Sequence, residues 1–578
     1  MRPLATLASL VTAGALAAGS VAFTAPTPAS RAAAAAGQAA AQSPTGADWY
    51  ETWIDTPDGE SLHVDVMRPA GLGDDVQTPV ILVVSPYLGV TAPGPSDRFF
   101  DFFEGADVWG NGYTVVQVST RGTGGSSGCL DILGPGEQID VVTAVQWSAG
   151  QPWSTGRVGM YGKSYDGNTG LVGGALRPDG LHAVVAQQVA PDRYRGSYSD
   201  RVRLLQSLAY PAVSYGSGGE GSVGTDHQPQ YVLNSASRSA DCQVLLAEHY
   251  LDDESLAFWR SRDFVDLVEG STVAMFITTG YLDVNTNIGA GVVEYFDALE
   301  GPKHLWIGWW DHVRGNDTVG SDLLAMGRPG FFDAVMRFYD RHLKGVAPAI
   351  VDPVVAVQGS DGLWDVEDAW PPKDVLTLEA PLLPGTYVDD ATNHGSRDAS
   401  AGAGGAASPF GTDYGHGTWT FSEPVDQELR IAGIPSARVD VVPLVPRTNV
   451  VVNVYDVDPS GQAIMITRGA ALVDGAGEVD VALFPTDWKI APGNRIGLLV
   501  SGANMEAYIH VPTNTDVEVR GGVVTLPFLP TARPGDEPGD IAPRLEAYLA
   551  TAPFAVDVAS FDQRTAGHAR AWVPSRHG

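Results

Sequence analysis

Cysteine, basic side chains and long apolar runs are all scarce in this sequence. Of its 578 residues two are cysteine, and Lys and Arg together number 35 against 68 Asp and Glu, a formal net charge of −33. This excess of acid argues against nucleic acid or an anionic membrane surface as a partner. Beyond the first 25 residues no stretch offers the roughly 18 consecutive apolar residues of a membrane-spanning helix, so no membrane insertion is predicted.

The two cysteines, Cys129 and Cys242, also limit the metal chemistry that the chain can support. Two thiols cannot complete a structural zinc site alone, and no H-E-x-x-H motif supplies other ligands. The segment DVDPSG at 456–461 begins like a calcium loop, but its twelfth position is Thr467 instead of glutamate, so a hairpin turn is predicted. RGTGGSSG lacks the Lys-Ser/Thr ending of a phosphate loop. The sequence therefore predicts no metal and no cofactor.

The amino terminus has the pattern of an export signal. Within residues 1–36 one arginine precedes a short run of small apolar residues, and Ala-rich sequence with A-x-A cleavage points follows, as in a secretory signal peptide and leader. Residues 37–46 continue the low-complexity composition and are predicted to be a flexible linker. We therefore expect a secreted protein, in which an oxidising compartment favours a disulfide between Cys129 and Cys242.

Residues 47–350 have the hydrophobic pattern of an α/β domain. DWYETWIDTPDGESLHVDVMRP alternates around a Pro-Asp-Gly turn and predicts an edge hairpin. Helical patterns follow, such as GEQIDVVTAVQWSAG, in which Ile139, Val142, Val145 and Trp147 fall roughly on one side. Between the helices lie nearly continuous apolar runs, typical of parallel strands buried on both faces, at 80–85, 114–119, 158–162, 182–189, 273–280 and 304–310.

Two further parts of the chain break this rhythm. Helical patterns from about 192 to 268 are too long for one crossover and predict an inserted cap over the strand ends. Residues 351–415 are rich in Pro and Gly and are predicted to be a connector, whereas the many short strands of 416–530 predict a β-sandwich. Residues 531–578 are predicted to be a linker and a tail without an assigned fold.

Ser164 is the first candidate catalytic residue. It lies in VGMYGKSYDGNTG, between an apolar strand and a glycine-rich helical segment. A strand that turns sharply into a helix exposes the residue at the turn and requires small neighbours. Taken alone, the pattern favours a serine in a glycine-rich loop, so the base and the acid that a nucleophilic serine needs decide the question.

Asp283 and His312 supply that acid and base in the expected chain order. The two strand-like runs after the predicted cap end in TTGYLDVNTN and IGWWDHVRG, which place Asp283 and His312 just beyond their carboxyl ends. Alone, Asp283 could cap a helix, His312 could be a surface residue, and Asp311 is an alternative acid. Three such residues at successive strand ends predict a catalytic triad of Ser164, His312 and Asp283.

The chain resembles the X-prolyl dipeptidyl peptidase and cocaine esterase family of serine hydrolases. The resemblance lies in SPYLG, STRGTGGSSG, QPWSTGRVGMYGKSYDG, GYLD and GWWDH, and it covers nearly all of the chain after the leader. Its most specific element is G-x-S-Y-x-G, in which Asp166 stands where general α/β-hydrolases have glycine. The resemblance implies an α/β-hydrolase fold with a helical cap and a carboxyl-terminal jelly roll, and the three triad roles named above.

The same resemblance implies an oxyanion hole made by the Tyr87 hydroxyl and the backbone N–H of Tyr165. Tyr87 follows the strand VILVVS, where such a fold is expected to place its second oxyanion donor. A tyrosine that packs under the loop is the alternative for Tyr87.

Two substrate classes remain open at this stage: X-Pro peptides with a free amino terminus, which we place slightly first, and small acyl esters or amides as the alternative. The ordered sequence enters the hydrolase sheet directly, without the extra amino-terminal domain of the long peptidases, which weakens the peptidase hypothesis. Recognition of a free α-ammonium needs a carboxylate. The predicted cap offers Asp200, Glu220, Glu248, Asp252 and Asp253.

A hypothesis from another class is a carbohydrate-binding or cell-wall-binding protein with an inactive hydrolase part. The intact Ser164, Asp283 and His312 argue against it. The sequence leaves the oligomeric state open.

Overall fold

The computed structural model describes residues 43–88, 94–208, 242, 244–320, 322–390, 393, 415–530, 533, 535 and 537–559. The predicted signal peptide, the first part of the predicted linker and Glu220 lie outside these residues. No helix within the described ranges is long and apolar enough to cross a membrane.

A ten-stranded sheet forms the centre of the amino-terminal half. The strands of this half are β1 (Ala47–Asp55), β2 (Ser61–Pro69), β3 (Thr78–Ser85), β4 (Thr114–Ser119), β5 (Ser154–Lys163), β6 (Leu181–Gln187), β7 (Tyr198–Ser199), β8 (Val202–Arg203), β9 (Ala274–Gly280), β10 (Lys303–Gly308), β11 (Thr318–Val319), β12 (Leu323–Leu324), β13 (Val355–Gln358) and β14 (Trp364–Glu367). The sheet has the order β1-β2-β4-β3-β5-β6-β9-β10-β13-β14, and β7-β8 and β11-β12 form separate hairpins. Every neighbouring pair from β4 to β13 is parallel.

The predicted strands and the edge hairpin are confirmed. β1 and β2 pair antiparallel around the Pro-Asp-Gly turn, and each predicted apolar run overlaps one of the strands β3, β4, β5, β6, β9 and β10. Strands β3, β4 and β9 are buried along their whole length. This burial is the reason for their continuous apolar sequence, because helices cover both faces of a parallel sheet.

The helices of the described chain are short apart from two that flank the central strands. They are α1 (Phe100–Gly105), α2 (Pro135–Ala149), α3 (Tyr165–Leu176), α4 (Ala257–Arg260), α5 (Phe264–Leu267), α6 (Val292–Ala298), α7 (Phe331–Tyr339) and α8 (Pro543–Thr551), with a 3-10 turn at Ala247–Tyr250 and a π-helical turn at Asp340–Lys344.

The buried face of α2 differs from the predicted one. Val145 is buried as expected, but Ile139, Val142 and Trp147 are only partly buried. The buried side includes two carboxylates, those of Glu137 and Asp140. Each carboxylate has a buried partner outside the helix, which compensates the loss of hydration.

The cap is only partly described, since residues 209–241 and 243 lie outside the described ranges. The described part contains the β7-β8 hairpin, helical residues at 205–208, the 3-10 turn, α4 and α5. Non-helical residues at 251–256 separate the 3-10 turn from α4. Backbone hydrogen bonds from Leu205 to Ala507 and from Ile509 to Arg203 join this segment to the carboxyl-terminal half.

The carboxyl-terminal half contains two antiparallel sheets. Their strands are β15 (Leu376–Leu382), β16 (Gly385–Val388), β17 (Thr418–Phe421), β18 (Leu429–Gly433), β19 (Ser436–Pro443), β20 (Thr448–Val457), β21 (Gln462–Val473), β22 (Gly477–Ala482), β23 (Thr486–Ile490), β24 (Arg495–Ser501), β25 (Asp516–Leu529) and β26 (Phe554–Ala555). One sheet has the order β22-β19-β25-β18-β23 with β15 and β16 on β25, and the other has the order β17-β24-β20-β21-β26. The hairpin turn predicted at 456–461 is confirmed, because it joins β20 to β21.

Two segments to which the sequence assigned no fold contribute strands or a helix. The predicted connector 351–415 supplies β13 and β14 to the ten-stranded sheet, and β15 and β16 to the sheet that contains β25. The predicted tail 531–578 supplies α8 and β26. Strands of four residues or fewer carry too little periodicity to be distinguished from loops, and their neighbours in the sheet supply the hydrogen bonds that define them.

Aromatic side chains join the two halves into a continuous core. The ring of Trp309, just after β10, lies 5.0 Å from Trp488 and 6.2 Å from Tyr548, and its indole N–H donates to the Asp487 carbonyl at 2.9 Å. The sandwich therefore packs directly beside the carboxyl end of β10.

The predicted disulfide is confirmed, since Cys129 and Cys242 are bonded with their Cα atoms 5.3 Å apart and 113 positions apart in sequence. Closing so long a loop restricts the unfolded chain, so replacing both cysteines by serine should lower the free energy of unfolding by about 2–4 kcal/mol. Urea denaturation of the parent and the double variant measures the change. Equal urea midpoints for the parent and the double variant under non-reducing conditions would contradict this expectation.

Candidate active site

Ser164 occupies a strained turn between β5 and α3. Its backbone has φ 64° and ψ −122°, outside the regions that non-glycine residues ordinarily adopt. A Cβ at Gly162 would lie 2.3 Å from the Asp166 carbonyl carbon, and one at Gly167 would lie 2.6 Å from Val189. The glycines are therefore required by the close approach of strand and helix, which confirms the steric reason predicted from the sequence.

Two glutamines at the end of β6 form hydrogen bonds to three segments around the site, those of Ser164, Gly280 and Gly315. The Gln187 carbonyl accepts a hydrogen bond from the Ser164 N–H at 2.8 Å, and the Gln187 side chain accepts one from the N–H of Gly315 at 2.9 Å. Gln188 accepts from the N–H of Gly280 at 3.2 Å. The two glutamines were missed by sequence reasoning, although two polar residues at the end of the apolar run HAVVAQQV are a visible signal.

Asp283 and His312 meet beyond the ends of the neighbouring strands β9 and β10. Nδ1 of His312 lies 2.8 Å from Oδ2 of Asp283, in hydrogen-bond contact. The same carboxylate accepts from the Thr286 hydroxyl at 2.6 Å and from the Asn285 N–H at 2.8 Å. These bonds fix the carboxylate, and the carboxylate fixes the imidazole.

The electrostatic surroundings keep Asp283 ionised. Burial is the largest effect on its pKa and would raise it, but the His312 charge, the His312 hydrogen bond and the bonds from Thr286 and Asn285 together lower the pKa below its usual value. A carboxylate that stays charged can orient an imidazole and stabilise the imidazolium.

Asp311, the alternative acid, lies next to an arginine of α8. Its side chain is 49% exposed and lies 3.9 Å from Arg544 of α8. Consecutive residues after a strand point in different directions, so only one of Asp311 and His312 can face the serine edge of the sheet.

The two predicted oxyanion residues pack against one another. The rings of Tyr87 and Tyr165 meet edge to face with centroids 6.1 Å apart. Tyr165 is the first residue of α3. Its buried hydroxyl donates to Glu137 at 2.6 Å and accepts from the Leu133 N–H at 3.2 Å, which anchors the start of the helix. Burial and the nearby Asp131 raise the pKa of Glu137.

Asp166 and Arg98 form an ion pair that sequence reasoning did not find. The Arg98 Nε donates to the Asp166 carboxylate at 2.6 Å. Burial raises the pKa of Asp166, and Arg98 is the strongest charge that opposes this rise. The two residues lie 68 positions apart, so no local pattern indicates the pair.

A cavity lies beside Asp283, between the hydrolase sheet, the cap and the sandwich. Its charged side chains include Arg468 and Glu506, which form a salt bridge of 3.2 Å. The cavity is lined by Leu204, Gln206, Tyr281, Leu282, Asp283, Val284, Asn287, Trp309, Met465, Ile466, Thr467, Arg468, Phe484, Pro485, Glu506, Ala507, Arg544 and Tyr548.

The carboxylates predicted for the cap do not line this cavity as far as they are described. Asp200, Glu248 and Asp253 are exposed. Asp252 binds Arg447 of the sandwich at 2.7 Å.

Comparison with known proteins shows matches to both halves of the chain. Residues 58–314 match the family model described as X-Pro dipeptidyl-peptidase (S15 family). Residues 351–529 match the model described as the X-Pro dipeptidyl-peptidase C-terminal non-catalytic domain.

Three individual proteins illustrate the range of the matches. A cocaine esterase from Rhodococcus sp. (strain MB1 Bresler) is 25% identical over 532 residues, covering 78% of this chain and 90% of that protein. A Streptomyces avermitilis protein, named among the Xaa-Pro dipeptidyl-peptidases, is 25% identical over 417 residues, covering 65% of this chain and 55% of that protein. The chain thus matches about half of the length of this second relative.

The third is a crystal structure of an aminopeptidase from a marine sediment Thaumarchaeota archaeon. It has a TM-score of 0.61 and 18% identity, covering 84% of this chain and 96% of that one. At this identity the likeness shows the fold alone: an α/β-hydrolase with a carboxyl-terminal β-rich domain.

Proposed function

Because this chain belongs to the X-prolyl dipeptidyl peptidase and cocaine esterase family of hydrolases, we propose that it cleaves an amide or ester bond through an acyl-enzyme on Ser164. The observation that carries this proposal is the hydrogen bond between buried Asp283 and partly exposed His312, at the strand edge where Ser164 occupies a strained turn. In this proposal Ser164 is the nucleophile, His312 the general base and Asp283 the residue that orients the base.

The proton transfers follow from the hydrogen bond between His312 and Asp283. An N–H on Nδ1 that donates to Asp283 leaves the Nε2 lone pair to accept the Ser164 proton. As the serine oxygen bonds to the substrate carbonyl carbon, this proton moves to Nε2, which then returns it to the leaving amine or alcohol. In the second half of the reaction water attacks the acyl-enzyme, with His312 again taking the proton, and the acyl group leaves Ser164 as a carboxylic acid.

The developing negative charge requires two donors at one point. The Tyr165 N–H, at the start of α3, and the Tyr87 hydroxyl are the proposed oxyanion donors. The edge-to-face contact of the two rings supports this assignment, because it holds both residues beside the serine turn. Placing donors there in advance stabilises the transition state without reorganisation.

In this proposal the acyl group enters the cavity beside Asp283, which neither Ser164 nor His312 lines, and this cavity favours an uncharged group over a free α-ammonium. An ammonium group that enters a pocket needs a carboxylate to replace its hydration. Among the described cavity residues, Glu506 is bound to Arg468 and Asp283 to His312. We therefore place small acyl esters or amides first and keep X-Pro dipeptidyl peptidase activity as the second candidate, since the family includes both.

A substrate comparison tests this order. We expect turnover of p-nitrophenyl butyrate, and weak or no turnover of Ala-Pro-p-nitroanilide, because the described cavity offers the peptide's ammonium no uncommitted carboxylate. Acetylated Ala-Pro-p-nitroanilide is the control. Strong cleavage of the free-amine peptide alone would reverse the order.

A fluorophosphonate probe tests the enzyme hypothesis itself. Labelling should be confined to Ser164 and lost in Ser164→Ala. Folded protein that resists the probe and hydrolyses none of the three substrates would favour a binding protein instead.

The same proposal includes two features of the whole chain. Export is supported by the Cys129–Cys242 disulfide, because such bonds persist mainly in oxidising compartments. The two antiparallel sheets of the carboxyl-terminal half support a jelly roll. Amino-terminal sequencing of protein collected from the culture medium would test export.

A further inference from the structure

Arg98 lies between the serine turn and the proposed oxyanion donor Tyr87. Its Cζ atom is 4.6 Å from the ring centroid of Tyr87 and 4.6 Å from that of Phe99. Its Nε donates to Asp166, two residues after Ser164, at 2.6 Å. The guanidinium therefore contacts the donor ring and the helix of the nucleophile at once.

The pair is fixed on several sides. Asp166 is buried, and the Ser85 hydroxyl accepts from the Tyr87 N–H at 3.0 Å. The Arg98 carbonyl accepts from the buried Gln117 side chain at 3.0 Å. Tyr87 is thus held by its backbone through Ser85 and by its ring through Arg98.

We propose that the Asp166–Arg98 pair is a positioning device for the oxyanion hole, which sets the Tyr87 ring and strengthens its hydroxyl as a donor. This inference rests on the proposed function, since it assigns a role in the same reaction. A cation on the ring face is attracted to the π electrons. That cation also stabilises the partial negative charge that the phenol oxygen gains when its proton is shared with an oxyanion.

The Asp in G-x-S-Y-D-G then has a specific purpose. Asp166 stands where general α/β-hydrolases have glycine, and a glycine could not hold an arginine. A carboxylate at this position turns the first turn of α3 into the anchor for Arg98. The anchor lies two residues after Ser164, so the position of the Tyr87 ring is tied through Arg98 to the turn that carries the nucleophile.

The direct test is Arg98→Met, which keeps the length of the side chain and removes its charge. With p-nitrophenyl butyrate we expect kcat per serine, titrated with the fluorophosphonate probe, to fall about tenfold, and KM to change little. A loss confined to kcat indicates an interaction that forms in the transition state. Asp166→Asn should produce a similar loss, and Arg98→Lys should recover part of it.

Tyr87→Phe supplies the background that separates positioning from general destabilisation. Alone it should lower kcat by about a hundredfold to a thousandfold. Adding Arg98→Met to Tyr87→Phe should then lower kcat no further, because the hydroxyl on which Arg98 acts is absent.

Arg337→Met is the matched control for Arg98→Met. Arg337 also has a 25% exposed side chain and pairs with an aspartate, Asp352, and its replacement should leave kcat unchanged.

The possible results lead to different conclusions. An unchanged kcat in Arg98→Met, or an equal loss with and without the Tyr87 hydroxyl, overturns the inference while the proposed function stands. If Arg98→Met does not fold, Asp166→Asn and Arg98→Lys are compared in the same two backgrounds. If the parent hydrolyses none of the substrates and Ser164 is not labelled, the proposed function fails and this inference with it.

Discussion

Replacing Ser164 or His312 by alanine should each lower kcat by on the order of a millionfold, because the nucleophile and its base act as one unit. Without the imidazole the serine hydroxyl keeps its proton and attacks poorly, and without the serine the imidazole has nothing to activate. Steady-state hydrolysis of p-nitrophenyl butyrate measures both losses.

The double variant is the decisive comparison. It should be scarcely slower than either single variant, since the second substitution removes a group that has already lost its role. Losses that multiply would show that the two residues act in separate steps. Circular dichroism and the thermal midpoint of each variant would confirm that the fold is intact.

The second large effect is expected for Asp283→Asn, at about ten thousandfold in kcat. The amide keeps the size of the side chain but can donate to Nδ1, which favours the tautomer in which Nε2 carries the proton and cannot accept one from Ser164. The lowered pKa of Asp283 means that the parent holds a full carboxylate at neutral pH.

Asp311→Asn provides the matched control for this substitution. This substitution replaces the same carboxylate by the same amide, directly beside His312 in the sequence. The Asp311 side chain, however, is half exposed and lies toward Arg544. We expect at most a few-fold loss of kcat. A severe effect at Asp311 together with a mild one at Asp283 would transfer the role of the acid to Asp311.

The order of the site residues could be predicted from the sequence for a physical reason. A strand buried on both faces must be apolar throughout, so β3, β4 and β9 were visible as continuous runs. The carboxyl ends of parallel strands share one edge of the sheet, so the residues after those runs had to lie close together. Asp283 and His312 are in contact as this argument predicted.

The connector and the buried face of α2 show where such reasoning fails. Strand β13 has four residues, and it is a strand because β10 and β14 lie on either side of it. Glu137 and Asp140 can face inward because each accepts a hydrogen bond from a buried side chain. The donors are Tyr165 and Arg121, which are 28 and 19 positions away. Neither partner belongs to the helix, so helical periodicity could not identify the buried side.

The sequence by itself therefore determined the α/β sheet, the chain order of Ser164, Asp283 and His312, and the glycines around the serine, because these depend on contiguous burial and local sterics. Only the tertiary structure decided what surrounds them: the packing of the sandwich against Trp309, the two glutamines that tie the loops together, and the Arg98–Asp166 pair across 68 positions. These contacts join residues distant in the chain, and a charged or polar side chain can be buried there only because its partner arrives through folding.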